Sequence, residues 1–191
     1  MPAQKTTSLL RNVISQLRKR AAVTTLSDST GASLTGRQTL VRALVLRRLL
    51  RRELAADERN IGVLLPPTVA AAVANLALAL DRRVAVNLNY SLSVELIRFS
   101  LKEASLRHVI TSRAFLERMP IDLGEAEVIL IEDLAKGASA LDKGVSALLA
   151  LLPLPLLQRV LDINAIPEDD LMTIIFTSGS TGRPKGVMLP W

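Results

Sequence analysis

The stretch that decides the fold is residues 171–189, which read LMTIIFTSGSTGRPKGVML. Its first six residues are apolar or β-branched, and a run of this length predicts a buried strand rather than a helix. The next ten residues, 177–186, hold four hydroxyl side chains, three glycines and two cations. The pattern predicts a strand that ends abruptly in a polar loop.

The composition of this loop is suited to a polyphosphate. Glycines let backbone N–H groups approach phosphate oxygens, hydroxyl groups add donors, and a lysine supplies a compact positive charge. The loop is not a Walker A loop, because Gly179 and Gly182 are only three residues apart and Gly186 follows Lys185. An ordinary loop between two strands is the alternative, since Gly, Ser, Thr and Pro are common in loops. The length and specificity of the string favour the phosphate site.

The string TSGSTGRPKGV, residues 177–187, resembles the phosphate-loop signature of the AMP-forming synthetases. This adenylating superfamily includes acyl-CoA synthetases, luciferases and the adenylation domains of peptide synthetases. The match is nearly residue for residue over 176–189. It departs afterwards, because family members commonly continue with a hydroxyl residue and a histidine, whereas this chain has Pro190 and Trp191.

The resemblance implies ATP and Mg²⁺ as cofactors. It implies that the loop wraps the β- and γ-phosphates, and that Lys185 helps to hold or release pyrophosphate. The loop residues in this role would be Thr177, Ser178, Gly179, Ser180, Thr181 and Gly182. Thr177 would also be the candidate Mg²⁺ ligand, since Mg²⁺ prefers oxygen.

The resemblance also implies a reaction. A carboxylic acid would attack the α-phosphate of ATP to give an acyl-adenylate, and the thiol of CoA or of a carrier protein would then accept the acyl group. No catalytic residue is assigned, because the acidic motif, the ribose-binding Asp and the small C-terminal domain with its Lys lie downstream in the family. We therefore expect the N-terminal part of a larger synthetase, which does not turn over alone.

The string NLNY, residues 87–90, is similar to the acyl-acyl-carrier-protein synthetase branch, including the synthetase half of bifunctional acylglycerophosphoethanolamine acyltransferases. This similarity implies a fatty acid as the substrate. The structural alternative for Asn87, Asn89 and Tyr90 is a turn that ends a strand.

From residue 60 the chain alternates between strand and helix patterns. Predicted strands cover 61–65, 84–88, 108–111 and 128–131, and predicted helices cover 69–80, 93–104 and 112–118. Such alternation is typical of right-handed crossovers around a parallel sheet. The sequence predicts an α/β fold with a mostly parallel sheet flanked by helices, the incomplete N-terminal portion of the large domain of an adenylating enzyme. The sheet should end in an exposed edge.

We divide the chain into residues 1–34, an amphipathic helix and a small hairpin, and residues 35–191, a partial AMP-binding domain. The first helix carries apolar residues on one face and arginines elsewhere, so it either lies on a membrane or packs on its own domain. A capping box at Thr35 and Gln38 predicts a second helix that runs towards residue 54. Its four terminal arginines form either an anion-binding patch or a helix C-cap with snorkelling stems: Arg47, Arg48, Arg51 and Arg52.

Residues 135–144 read as a small-residue linker, and residues 145–161 form the most apolar stretch of the chain. Pro153 and Pro155 interrupt this stretch, which is too short to span a bilayer. It either dips into a membrane interface or shapes an acyl-chain tunnel, or it is a broken helix that covers the sheet.

The composition narrows the function classes. The chain of 191 residues has 49% hydrophobic residues and no cysteine, so a disulfide framework and a thiolate metal site are excluded. Its single histidine, His108, argues against a His-based metal site. The net charge of +6 favours anionic partners, but aromatic residues make up only 3%, which argues against nucleic acid. We expect a cytoplasmic protein with peripheral membrane contact. The alternative function is a noncatalytic basic module that binds lipid or nucleotide.

Overall fold

The computed structural model describes residues 9–167, 169–177 and 184–191. The helices in these ranges are α1 Leu9–Lys19, α2 Gly36–Glu53, α3 Val69–Leu80, α4 Val94–Glu103, α5 Arg113–Arg118, α6 Ile131–Gly137, α7 Ala140–Leu151 and α8 Leu154–Val160. The strands are β1 Thr24–Ser27, β2 Ser33–Thr35, β3 Asn60–Val63, β4 Val84–Asn87, β5 His108–Thr111, β6 Glu127–Leu130, β7 Leu171–Thr177 and β8 Lys185–Pro190. A 3-10 turn, Ile163–Ala165, follows α8.

The main sheet has the strand order β6-β5-β3-β4-β7-β8. All pairs from β6 to β7 are parallel, and only β8 runs antiparallel, against β7. The β1–β2 hairpin forms a separate antiparallel pair. The prediction of an α/β fold with a mostly parallel sheet is therefore confirmed, and so is the strand that precedes the polar loop.

Helices cover both faces of the sheet, as parallel strands require. Helices α1, α2, α3 and α7 contribute to one apolar cluster, in which Leu78 and Ile61 are fully buried. Helices α4 and α5 contribute to a second cluster with Val86 and Phe176. Strand β8 lies outside both clusters and is exposed along its length, which confirms the predicted exposed edge.

Several local predictions are confirmed by the caps. Thr35 and Gln38 form the predicted capping box: the Thr35 N–H donates to Gln38 Oε1 at 2.9 Å, and the Gln38 N–H donates to Thr35 Oγ1 at 3.3 Å. Helices α3, α4 and α5 begin after side-chain caps at Thr68, Ser93 and Ser112. Each hydroxyl satisfies a backbone N–H that would otherwise lack a partner in the first turn.

The predicted linker at 135–144 is wrong, because these residues belong mainly to α6 and α7. A second capping box starts α7, with the Ser139 N–H donating to Asp142 Oδ2 and the Asp142 N–H donating to Ser139 Oγ, both at 3.1 Å. Small residues are common in linkers, but Ser139 and Asp142 have the spacing of a capping box, which starts a helix here. The break at Pro153 between α7 and α8 is confirmed.

The N-terminal helix packs on its own domain, because Leu10, Ile14 and Leu17 are buried in the cluster that α2 shares. The division of the chain at residue 35 stays a prediction. No helix among the described residues is long and apolar enough to cross a membrane.

The four arginines near the end of α2 are neither an open patch nor simple caps. Arg47 and Arg51 form ion pairs with Asp81, and Arg48 and Arg52 form ion pairs with Asp142. Both carboxylates are almost fully buried. The arginines therefore hold α3 and α7 against α2, a role that sequence spacing could not reveal because the partners lie far away in the chain.

Candidate functional site

The predicted phosphate loop begins and ends at the paired residues Thr177 and Lys185. These residues face each other across the β7–β8 pair, and Thr177 Oγ1 donates to the carbonyl oxygen of Lys185 at 3.4 Å. Five residues predicted to bind phosphate lie outside the described residues: Ser178, Gly179, Ser180, Thr181 and Gly182. The two ends of the loop are thus held a single strand spacing apart by β-sheet pairing.

The side chains of Thr177 and Lys185 lie at the carboxyl edge of the parallel sheet. Both residues are exposed, and no carboxylate in the described part of the chain lies within ion-pair distance of Lys185. An unpaired ammonium group beside a hydroxyl group suits an anionic ligand such as a polyphosphate. In parallel α/β sheets, ligands bind outside this edge.

Gly186 has a packing role that the sequence did not indicate. A Cβ at this position would lie 3.3 Å from Ile174 Cγ2 and 3.4 Å from Phe176 Cε1. The glycine therefore lets β8 cross close over the side chains of β7.

The described residues fit a polyphosphate better than they fit a metal ion. Thr177 offers one hydroxyl oxygen, and the part of the chain covered by the structure contains no group of three or more His, Cys, Asp or Glu side chains that could hold a metal. A magnesium site needs several oxygens in octahedral geometry. The assignment of Thr177 as a Mg²⁺ ligand stays a prediction.

A cavity of about 620 Å³ opens at the same edge of the sheet. Its floor comes from residues that follow three strands: Leu65 and Pro66 after β3, Ser112 after β5 and Ile131 after β6. Its walls come from the facing sides of α2 and α3, including Val41, Val45, Leu49, Val69 and Val73. The chain leaves β3 towards β4 and leaves β5 towards β6, so the cavity lies where these directions diverge, which is the usual ligand crevice of an open α/β sheet.

The polar groups around the cavity are of two kinds. Asp28 accepts hydrogen bonds from the Thr30 hydroxyl at 2.6 Å and from the Val69 N–H at 2.8 Å, so it ties the small hairpin to the start of α3. These bonds, that of Thr30 foremost, lower the pKa of Asp28 and keep it ionised. Arg42 and Lys143 are the cations of the lining, and both are exposed. The lining of the cavity is therefore mostly apolar, with one carboxylate, Asp28, and two exposed cations, Arg42 and Lys143.

The residues of the NLNY string have structural partners. Asn87 and Asn75 exchange two amide hydrogen bonds of 2.9 and 3.1 Å, and Asn87 also donates to Thr173 Oγ1 at 3.1 Å. Asn89 accepts from the Ser91 N–H in a turn, and Tyr90 contacts Phe115 edge to face. These contacts support the structural alternative for the string, a strand end followed by a turn.

His108 occupies the start of β5, as predicted. Its Nδ1 lies 2.9 Å from the buried carboxylate of Glu58, and its Nε2 lies 3.3 Å from Glu127. The contacts connect the amino ends of β5 and β6 to the segment before β3. This edge is opposite to the phosphate loop, so His108 takes no part in the candidate site.

Comparison with known proteins places this geometry in a family. The AMP-binding enzyme family model matches residues 10–190. The chain is 28% identical over 179 residues to a hybrid PKS-NRPS synthetase of Aspergillus niger, an alignment that covers 94% of this chain and 4% of the synthetase. It is 28% identical over 141 residues to the cyclosporin synthetase of Tolypocladium inflatum, covering 73% of this chain and 1% of that protein.

Solved structures share the fold. VinN with 3-methylaspartate superposes with a TM-score of 0.71 at 21% identity, over 96% of this chain and 47% of VinN. O-succinylbenzoate coenzyme A synthetase of Bacillus subtilis with AMP superposes with a TM-score of 0.68 at 19% identity, over 94% of this chain and 42% of that protein. The chain spans less than half the length of these structures and a small part of the curated relatives. It corresponds to the N-terminal part of the large domain, and it belongs to the AMP-binding enzyme family.

Proposed function

We propose that the chain is the phosphate-binding, N-terminal part of an ATP-dependent enzyme that adenylates a carboxylic acid and passes the acyl group to a thiol of CoA or of a carrier protein. The observation that carries the proposal is the hydroxyl- and glycine-rich loop at the carboxyl end of β7. Its ends, Thr177 and Lys185, are paired across the hairpin, and both side chains are open to a ligand.

The reaction requires positioning and charge stabilisation more than it requires covalent catalysis by the protein. A carboxylate oxygen attacks the α-phosphorus of ATP, the bond to the bridging oxygen breaks, and pyrophosphate leaves with the bonding electrons. The thiol sulfur then attacks the acyl carbon, AMP leaves, and the thiol proton passes to a base. Lys185 would stabilise the negative charge that develops on pyrophosphate. Bound Mg²⁺ would add further neutralisation, with Thr177 as one oxygen ligand.

The acid is proposed to carry a hydrocarbon chain, as in a fatty acid. The cavity of about 620 Å³ supports this choice, because small-molecule sites range over roughly 300–1,000 Å³ and are mostly apolar. The exposed cations of its lining, Arg42 and Lys143, would attract a carboxylate. Strand β7 lies two strands from β3, a lateral distance of about 10 Å at the usual strand spacing, so the cavity and the loop are close enough to serve one substrate.

ATP–pyrophosphate exchange in the full-length protein tests the proposal. We expect exchange to depend on added fatty acid and to be absent with amino acids. Val45→Phe, which fills the cavity wall, should weaken exchange with long-chain acids more than with short-chain acids. Val23→Phe is the matched control, because Val23 is 57% exposed and does not line the cavity.

Other outcomes would replace the proposal. ATP–pyrophosphate exchange that occurs only with amino acids would support the adenylation reaction and contradict the proposed fatty acid substrate. A protein that binds no ATP, and that binds liposomes equally well with Lys185→Ala, would be the noncatalytic basic module. Formation of ADP instead of AMP and pyrophosphate would indicate a different class of nucleotide enzyme.

A further inference from the structure

Helix α7 buries polar and small side chains and exposes apolar ones, the reverse of a usual surface helix. It buries Asp142, Ser146 and Ala150, while Leu141, Leu148 and Leu151 are 66%, 67% and 60% exposed. At 100° per residue, the three leucines lie on the side opposite to the buried residues. A surface helix normally places its apolar residues on the protein core, so this face calls for a partner.

Exposed apolar side chains also lie on α8, the next helix in the chain. Beyond the break at Pro153, Leu156 and Val160 are 45% and 51% exposed. We call the five side chains the leucine face: Leu141, Leu148, Leu151, Leu156 and Val160. None of them lines the cavity described above.

The orientation of α7 is fixed from the inside. Asp142 accepts hydrogen bonds from Arg48 Nε at 2.6 Å and from Arg52 Nη1 at 3.1 Å, and its side chain is fully buried. A rotation of the helix that buried the leucines would expose this carboxylate and leave two arginines without their partner, at a considerable cost. The outward position of the leucine face is therefore built into the fold.

The exposed charged side chains of α7 and α8 are positive, and the exposed carboxylate that follows α8, Asp162, is paired with Arg82. The only acidic residue of α7 and α8, Asp142, is buried, and the exposed charged residues of these helices are Lys143 and Arg159. Arg18, near the end of α1, donates to the carbonyl oxygen of Leu151 at 3.4 Å and brings the basic end of that helix beside α7. An apolar face with a cationic border complements a bilayer that contains anionic lipids.

We propose that the leucine face docks on the surface of an anionic lipid bilayer, with α7 and α8 lying in the plane of the interface. The side chains would enter the boundary between headgroups and acyl chains, while Arg159 contacts a lipid phosphate. This mode needs no membrane-spanning segment. It is independent of the acid that the enzyme activates, since vesicle binding is read out without ATP.

Sedimentation of the full-length protein with lipid vesicles tests the docking. Binding should be stronger to vesicles that contain phosphatidylglycerol than to pure phosphatidylcholine. Leu148→Ser combined with Leu151→Ser should lower the affinity at least about tenfold, because two apolar groups leave the interface. Met188→Ser is the matched control, because Met188 is 62% exposed but lies on β8. Arg159→Gln should lower the affinity for anionic vesicles about fivefold and leave binding to neutral vesicles unchanged.

Three results would overturn the docking. The first is equal affinity for neutral and anionic vesicles. The second is an unchanged vesicle affinity of the double serine variant. The third is an equal loss of vesicle affinity in the double serine variant and in Met188→Ser. Light scattering provides a further check: a dimer of the wild type that the double serine variant converts to a monomer would show that a second copy covers the face. Circular dichroism verifies that each variant is folded. If the double serine variant does not fold, Arg159→Gln still tests the proposal.

Discussion

The parallel half of the sheet and the antiparallel hairpin at its edge differ in what their side chains do. In β3 and β4 nearly every residue is buried, whereas every residue of β8 is exposed. Strand β7 belongs to both regions: Thr173 and Ile174 are buried against β4, and Thr177 is exposed at the start of the loop. The parallel half therefore holds the buried core, and the proposed role of the exposed hairpin is to present groups to a ligand. Substitutions in the parallel half and in the hairpin should therefore have different effects on stability and on ligand binding.

The largest effect is expected from Leu78→Ala in the parallel half. Leu78 is fully buried on α3, and loss of its side chain should lower the free energy of unfolding by about 2–5 kcal/mol. Urea unfolding measures the change. Leu148→Ala is the matched control, because the same side chain is 67% exposed there and should have almost no effect in solution. Equal losses for the two variants would contradict the assignment of the core.

Asp142→Asn should have the second largest effect on the free energy of unfolding, and this effect should depend on pH. Hydrogen bonds from Arg52, then from Ser139 and Arg48, hold the pKa of Asp142 well below its usual range. A lowered pKa in the folded state contributes stability above the unfolded pKa of about 3.9, and that stability is lost as the pH falls through the folded value.

The difference in unfolding free energy between wild type and Asp142→Asn should therefore be constant from neutral pH to about pH 5 and shrink below about pH 4. Unfolding titrations at several pH values measure this difference. Asp133→Asn is the control, because Asp133 pairs with Arg113 at the surface and should contribute little. A difference that grew in acid would contradict the ion-pair account of α7.

Asn87→Leu should have a smaller effect, at the border between the two regions. The substitution leaves the Asn75 amide without its side-chain partner and removes the donor to Thr173 on β7. Unsatisfied groups of this kind cost about 1–3 kcal/mol. Thermal unfolding checks the loss, with the exposed Asn164→Leu as control. Unchanged stability would show that this polar network does not connect β4 to β7.

Residue patterns predicted the parallel half well, because its signals are local. Hydroxyl caps at Thr35, Thr68 and Ser112 and short apolar runs are sufficient to locate its helices and strands. The helical segment after β6 was missed, because small residues look like a linker unless Ser139 and Asp142 are read as a capping box. The cavity and the arginine pairs could not be predicted, because each joins side chains from segments that are distant in the chain.

The phosphate loop is a prediction from composition and residue order, and the structure adds how the two ends of this loop are held. The pairing of Thr177 with Lys185 depends on β8, whose apolar residues could not be assigned to an antiparallel strand before the sheet order was known. Gly186 belongs to the predicted phosphate-binding string, and the structure adds that a Cβ there would lie 3.3 Å from Ile174 Cγ2, a tight contact between β8 and β7.

The central claim is that the β7–β8 hairpin binds the phosphates of ATP through Lys185. The most direct measurement is ATP affinity of full-length Lys185→Ala by calorimetry, together with its unfolding free energy and with Lys102→Ala, an exposed lysine on α4, as control. We expect Lys185→Ala to weaken ATP binding at least about tenfold, since a charge-assisted hydrogen bond contributes roughly 1.5–3 kcal/mol, with unchanged stability. Equal ATP affinity in both lysine variants would contradict the claim.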